Sequence, residues 1–586
     1  METSTDTIAA RPPRIPRAGR PRHLGVRIAL VVFALVLVVL ALAALSALGV
    51  RRHLENGRDE MDQGTKVLLH GDASAAKLAF DDAAAEFLLG ADEARSPWLT
   101  VTGWVPIIGR TPDTVRAVAD AGVQASLAAS TLAKAIEVLP GGLGALAPSA
   151  EGIPIDHLTA MADAVASADR ITGGALRTLE NTPRGLVLGP VASARDEAQA
   201  ELDTIHRQLH AGSLILEGLP SFLGGNGPRH YFFGASNPAE LRGTGGLIGA
   251  YAILTIDHGR LSFTDFRPIE SLPKLDVHDV PSPSPEYSEN FDFYRTGVGF
   301  WLDINMTPDF PLAAKATWLA YRQATGEWLD GMIVADPFAL QSLMRVTSPV
   351  PVAATGVEVT DRTIVDFVSN QAYALFDTNE QRKLVLGRVA ATVLDSFVAQ
   401  HGRELPRLRA LLDAFDDGHV KVWTTDPSME QGLALTTAGG AFRPAGTDAM
   451  SVVTNSASGT KLDFYQDRSV TYDLFLGPDG SASGTLRVEL GNDSPTSGLP
   501  RYVIGPYKHY STEPGENVAV VHLYCDDGCE VESATRNGRS VELGRYEQNG
   551  HPFFEDYIRT PSGETSTVTA SLYLPSAWTG TGWGLG

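Results

Sequence analysis

Between Arg27 and Arg51 lie 23 residues without a charge, Ile28 to Val50, rich in Val, Leu and Ala. As a helix this run reaches about 34 Å, enough to cross the hydrocarbon core of a bilayer. It exceeds the apolar stretch of an ordinary cleaved signal peptide, although Ala44-Leu-Ser-Ala47 has some cleavage-site character, and the length favours an uncleaved signal anchor. Six arginines precede the run within residues 1–27, against Glu2 and Asp6. That surplus of +4 keeps the N-terminus in the cytoplasm and places the bulk of the chain outside the plasma membrane. The total of −22 leaves residues 28–586 at −26. So acidic a body repels phosphate at long range and excludes nucleic acid as a partner.

The expected organisation follows from changes in periodicity. Residues 1–27, rich in Arg and Pro, read as a disordered tail, and residues 28–50 as a transmembrane helix. Residues 51–222 are Ala-rich with helical spacing and read as an all-α stalk or bundle. Thr111-Pro-Asp-Thr starts a helix, Pro140-Gly-Gly ends one, and further helices fit 156–179 and 192–216. The segment with Trp98 and Trp104 reads as a packed loop, with a lipid-facing aromatic patch as the less favoured alternative. Residues 223–450 read as an α/β domain. Strands are expected at 230–236, 247–256, 260–266, 332–335 and 350–352, and helices at 309–325, 337–345, 360–374 and 380–400. Residues 451–586 alternate with period two and read as an antiparallel β-sandwich-like module.

Cys525 and Cys529 are the only cysteines. Two thiolates are too few for a structural metal site, and outside the cell a disulfide closing a tight loop is expected. No Gly-x-Ser-x-Gly, His-Glu-x-x-His or phosphate-loop motif occurs.

What remains is a set of arginines: Arg242 and Arg267, which follow strands, and Arg382, which opens a helix. Guanidinium groups clamp phosphate bidentately and stay charged in poorly solvated sites. With N–H groups freed by Gly243, Gly245 and Gly246, beside Asn237, Glu240 and Thr244, a diphosphate pocket is chemically sensible. Turn glycines and surface ion pairs fit the same spacing, and spacing alone favours them.

The run Asn237-Pro-Ala-Glu-Leu-Arg-Gly-Thr-Gly-Gly-Leu-Ile-Gly-Ala-Tyr251 resembles the signature of a cell-envelope family, domain-of-unknown-function family 4012 (DUF4012). Asp303-Ile-Asn-Met-Thr-Pro-Asp-Phe310, Leu329-Asp-Gly-Met-Ile-Val-Ala-Asp-Pro337 and Ser456-Ala-Ser-Gly-Thr-Lys-Leu-Asp-Phe-Tyr465 extend the likeness in the same order. Segment 229–400 is also similar in layout to the LytR-CpsA-Psr phosphotransferases, which move glycopolymers from polyprenyl diphosphate to peptidoglycan. That likeness implies phosphate-binding roles for Arg242, Arg267 and Arg382. The metal-holding aspartates of that family fall here on Asn237 and near Thr244 or Gly245, and the aspartate after the second arginine is Pro268. A bound Mg²⁺ or Mn²⁺ therefore lacks its carboxylates, and the metal and its ligands stay unknown. The expectation is a protein that binds a polyprenyl-phosphate-linked or wall glycopolymer and can transfer it to the wall. A non-catalytic surface scaffold is the alternative.

Overall fold

The computed structural model describes residues 22–102, 109–296, 299–353, 355–376, 378–443, 450–506 and 511–578, with backbone alone for 22–44 and 101–102. Residues 1–21 of the expected disordered tail lie outside this set. A helix spans Arg22–Leu69 and contains the apolar run. Most of that run's side chains fall outside the described residues. Among the described residues no helix is long and apolar enough to cross a membrane.

The chain divides into two compact units. One comprises residues 1–63, 79–127 and 174–202, and the other residues 64–78, 128–173 and 203–586. The expected stalk, 51–222, is therefore shared between both units. Its helices match the sequence reading: Ala73–Ala94, Thr111–Glu137, Ile155–Glu180 and Gly189–Phe222. In the first unit small residues let these helices close. A Cβ at Gly57 or Gly122 would fall within 3 Å of the Phe87 ring. Ala117, Ala121, Ala175, Leu176, Leu179 and Leu202 bury one another.

In the second unit the α/β layer contains β1 (Arg229–Asn237), β2 (Leu247–Asp257), β3 (Arg260–Phe263), β4 (Arg267–Pro268) and β5 (Gly331–Ala335). A separate hairpin of β6 (Val350–Val352) and β7 (Val357–Val359) follows, and then β8 (Val420–Thr424). The main sheet runs β3-β2-β1-β5-β8, with β4 also on β2. β1 is antiparallel to β2 and parallel to β5, and β8 is antiparallel to β5. Alternate residues of β1 feed opposite cores, as a pleated strand requires. Phe232 joins Ile248, Met332 and Val334 under the helix Phe310–Thr325. Tyr231 joins Leu223, Leu254 and Ile256 on the other face. The expected strand at Val350–Val352 forms, but outside the main sheet. It belongs instead to its own two-stranded sheet, over a third core of Val359, Phe367, Val389 and Val393. The sequence reading left β8 unassigned.

The C-terminal region forms the expected sandwich from β9 (Ser451–Ser456), β10 (Gln466–Leu476), β11 (Ala482–Asn492), β12 (Asn517–Tyr524), β13 (Glu530–Arg536), β14 (Arg539–Ser540), β15 (Gly544–Gln548), β16 (His551–Thr560) and β17 (Thr565–Leu574). One sheet is β10-β11-β17-β13-β14 and the other β15-β16-β12-β9. Leu486, Val488, Val521, Leu523, Val568 and Ala570 fill the space between them. Cys525 and Cys529 are disulfide-bonded. The α/β layer and the sandwich, expected as domains meeting near residue 450, belong to one compact unit.

Candidate functional site

Three of the four quoted motifs meet where the α/β layer joins the sandwich. The loop after β1 supplies Glu240, Arg242 and the glycines. The segment 303–310 lies against it, and residues 456–465 close the third side.

The glycines accept protein rather than an anion. A Cβ at Gly243 would come within 2.4 Å of the Met306 and Thr307 backbone, and one at Gly246 within 2.7 Å of Asn237 and Pro238. Gly245 has φ +125°, a conformation that favours glycine. Asn305 locks the loop by donating from Nδ2 to Thr244 Oγ1 at 2.8 Å and to the Gly246 carbonyl at 2.9 Å.

Arg242 is buried, and its donors are engaged by protein. Nε donates to the Leu302 carbonyl at 3.1 Å, and Nη1 to the Leu241 carbonyl at 2.8 Å and the Ser456 carbonyl at 3.4 Å. Nη2 meets Asp303 at 2.8 Å and Glu240 at 3.2 Å. Glu240 in turn accepts from Lys461 Nζ at 2.6 Å. Burial alone would raise the Glu240 carboxyl, but Lys461 and Arg242 outweigh it and hold the group below its ordinary value. Asp303 is pushed up by burial, and Arg242 opposes this. Asp463 accepts from the Leu241 N–H at 2.7 Å and from Asn517 Nδ2 at 2.9 Å, and burial lifts it to about 6. These pairs stitch three segments across a dry junction.

Beyond Lys461 the character changes. Lys461 Nζ lies 5.5 Å from the Tyr502 ring centre. The Arg382 guanidinium lies over Tyr373 at 4.2 Å and 5.7 Å from Tyr502. Arg382 stands in the first turn of the helix Asn379–Ala399, whose N-cap Thr378 accepts from the Gln381 N–H at 3.2 Å. Asn379 accepts a hydrogen bond from Arg382. The neighbouring Lys383 reaches the Gly249 carbonyl at 3.4 Å. Burial lowers its ammonium pKa; Glu270 opposes this, while Arg382 and Lys461 add to it. Tyr373 accepts from Asn237 Nδ2 at 3.0 Å, which ties this pole to the end of β1. Among the described residues neither Arg382 nor Lys383 forms a salt bridge.

Thus Arg242 and Arg382 belong to one chain of contacts, Arg242–Glu240–Lys461–Tyr502–Arg382, at opposite ends. Arg267 is exposed on β4, opposite Tyr251. Glu270, near Lys383, lies in the turn that follows. The sequence reading missed Lys461, Lys383, Asp303, Tyr373 and Tyr502 as site residues. Lys461 and Asp303 stood inside the quoted motifs, which was the available signal. The others are linked to the loop only through the tertiary fold. Two further polar side chains of the α/β layer serve local structure. Asp276 caps its own turn by accepting from the His278 N–H, and buried Trp301 donates to the Pro273 carbonyl. Among the described residues no group of three or more His, Cys, Asp or Glu is arranged to hold a metal ion.

Residues 226–373 match the family model described as "Protein of unknown function (DUF4012)". No curated protein and no solved structure matches the chain. The matched span holds Asn237, Glu240, Arg242, Asp303 and Tyr373; Arg382, Lys383, Lys461 and Tyr502 lie beyond it.

Proposed function

We propose that this protein, whose residues 226–373 match the DUF4012 family model, binds an anionic lipid-linked or wall glycopolymer, held by its phosphate at the Arg382–Lys383 pole. The observation that carries the reading is a buried guanidinium on an aromatic ring, beside a second, half-buried cation. Neither has a carboxylate in salt-bridge range among the described residues. Holding two cations together out of water costs free energy that a bound phosphate returns. Glu240 is shared by Lys461 and Arg242 and Asp303 is taken by Arg242, while Glu270, near Lys383, is exposed to solvent and forms no salt bridge among the described residues. Apolar surface for a prenyl chain is supplied by Phe233, Phe263 and Phe266, whose rings pack at 5.2 to 5.9 Å next to Arg267. In this reading Arg242 fixes the floor of the site and does not touch phosphate.

The apolar run 28–50 anchors the protein in the plasma membrane, with the N-terminus cytoplasmic and the remainder outside. Transfer of the polymer to the wall, in the manner of the LytR-CpsA-Psr enzymes, is the finer form of the proposal. It needs a divalent cation brought with the substrate, since the family's metal carboxylates are not matched here.

The test compares a polyprenyl phosphate with the corresponding polyprenol, each presented in vesicles to the full chain. The phosphate should bind at least tenfold more tightly, and the margin should shrink as salt is raised. Equal affinities would leave the second reading, a tethered surface scaffold. The complete engagement of Arg242 within the protein favours that reading.

A further inference from the structure

The first compact unit carries a feature that neither the anchor nor the phosphate pole uses. Apart from the helix Arg22–Leu69, which runs through, its helices end together. Phe87 packs against both Gly57 and Gly122, so these two glycines stand at one level of the bundle. The glycine partners of neighbouring helices agree: Gly49 lies against Glu93, and Gly90 against Leu54. Thr111 precedes Gly122 by the same eleven residues that separate Ser46 from Gly57, and at 1.5 Å per residue both lie about 16 Å below the glycine level. Thr111 Oγ1 accepts from the Leu188 N–H at 3.0 Å, and Arg110 N–H donates to the Leu186 carbonyl at 3.1 Å. The loop before the helix Gly189–Phe222 therefore ends at this level. Pro97–Thr102 follows the helix Ala73–Ala94 and falls there as well.

This shared level falls about one helical turn inside the end of the apolar run at Val50, and the side chains there are those a bilayer interface takes. Leu45 and Leu48 are 64% and 62% exposed, Leu186 and Leu188 54% and 44%, and Trp98 40%. Arg110 and Arg184 are exposed beside them. Apolar tips with an indole, ringed by arginines, match a headgroup layer over acyl chains. A protein partner would not require these tips to fall level with the close of a membrane span.

We propose that this end of the helical unit is a membrane-seating surface, in which Trp98, Leu186 and Leu188 enter the outer leaflet while Arg110 and Arg184 meet lipid phosphates. The inference rests on the reading that residues 28–50 span the bilayer. It adds a second, broad attachment that fixes the unit's tilt instead of leaving it on a single tether.

The experiment uses the full chain in vesicles of phosphatidylglycerol and phosphatidylethanolamine. Cys525 and Cys529 are disulfide-bonded, so a cysteine introduced by Leu186→Cys takes an environment-sensitive fluorophore alone. Leu127→Cys, exposed in the same unit and sixteen residues, about 24 Å, along the helix from Thr111, is the reference. The probe at 186 should be blue-shifted and quenched at least twofold by lipids spin-labelled near the headgroup, and the probe at 127 should report water. A water-like signal at both positions, with the protein still resisting carbonate extraction, overturns the seating surface and spares the anchor. Release of the protein by carbonate overturns both.

Discussion

The junction and the cationic pole use the same residue types to opposite ends. At the junction Arg242 and Lys461 face Glu240 and Asp303 at 2.6 to 3.2 Å, so charge is cancelled pair by pair. At the pole Arg382 and Lys383 face aromatic rings and a carbonyl. The first arrangement leaves nothing for a ligand, and the second leaves a charge deficit. Burial of an arginine says little about its role until its partners are counted.

Breaking the junction should give the largest effect. Arg242→Ala strands Asp303 in a dry site and leaves Glu240 with Lys461 alone, and loss of one partner from a buried ion pair costs about 3–5 kcal/mol. Chemical denaturation should show that loss, with the α/β layer and the sandwich unfolding together because they share the junction. A loss below about 1 kcal/mol would mean that the network is solvated. A finer probe is the cycle of Glu240→Gln with Lys461→Met. Their coupling energy should fall in the range of about 1–3 kcal/mol, whereas Arg382→Gln combined with Glu240→Gln should couple far less.

Glu430 sharpens the contrast, because it is a half-buried carboxylate that forms no salt bridge among the described residues. It accepts from the Thr424 N–H at 3.0 Å, and burial pushes it up to about 7. The folded state therefore favours the protonated acid. Its stability is full below the ordinary value of 4.5 and declines as pH rises through 7. Glu430→Gln should match the parent near pH 4 and exceed it by about 1–2 kcal/mol at pH 8, measured by urea denaturation at both values. The smallest effect on stability belongs to Lys383→Ala. It should change the unfolding midpoint by less than about 2 °C, as expected for a group with one long hydrogen bond.

Much of the fold was legible. Helix starts were visible because Asp309, Asp336 and Thr378 are caps whose side chains accept from the first turns. Strand β11 was visible because its inward residues alternate. β8 was not: Val420-Lys-Val-Trp-Thr is short, and Lys421 spends its ammonium on the Thr244 and Gly418 carbonyls, a use that no local pattern signals. The motif around Arg242 was legible as unusual but not in its purpose. Glycines that admit a ligand and glycines that admit a neighbouring backbone read alike until Met306 and Thr307 are in place. Lys461, 219 residues from Arg242 in the chain, became its neighbour only through the sandwich.

The division of labour between junction and pole is tested most directly by titrating a polyprenyl phosphate into Lys383→Ala and the parent, with both confirmed folded by their unfolding midpoints. Binding at least tenfold weaker in the variant is the predicted result. Unchanged affinity would contradict it and move the search for the ligand away from Arg382 and Lys383.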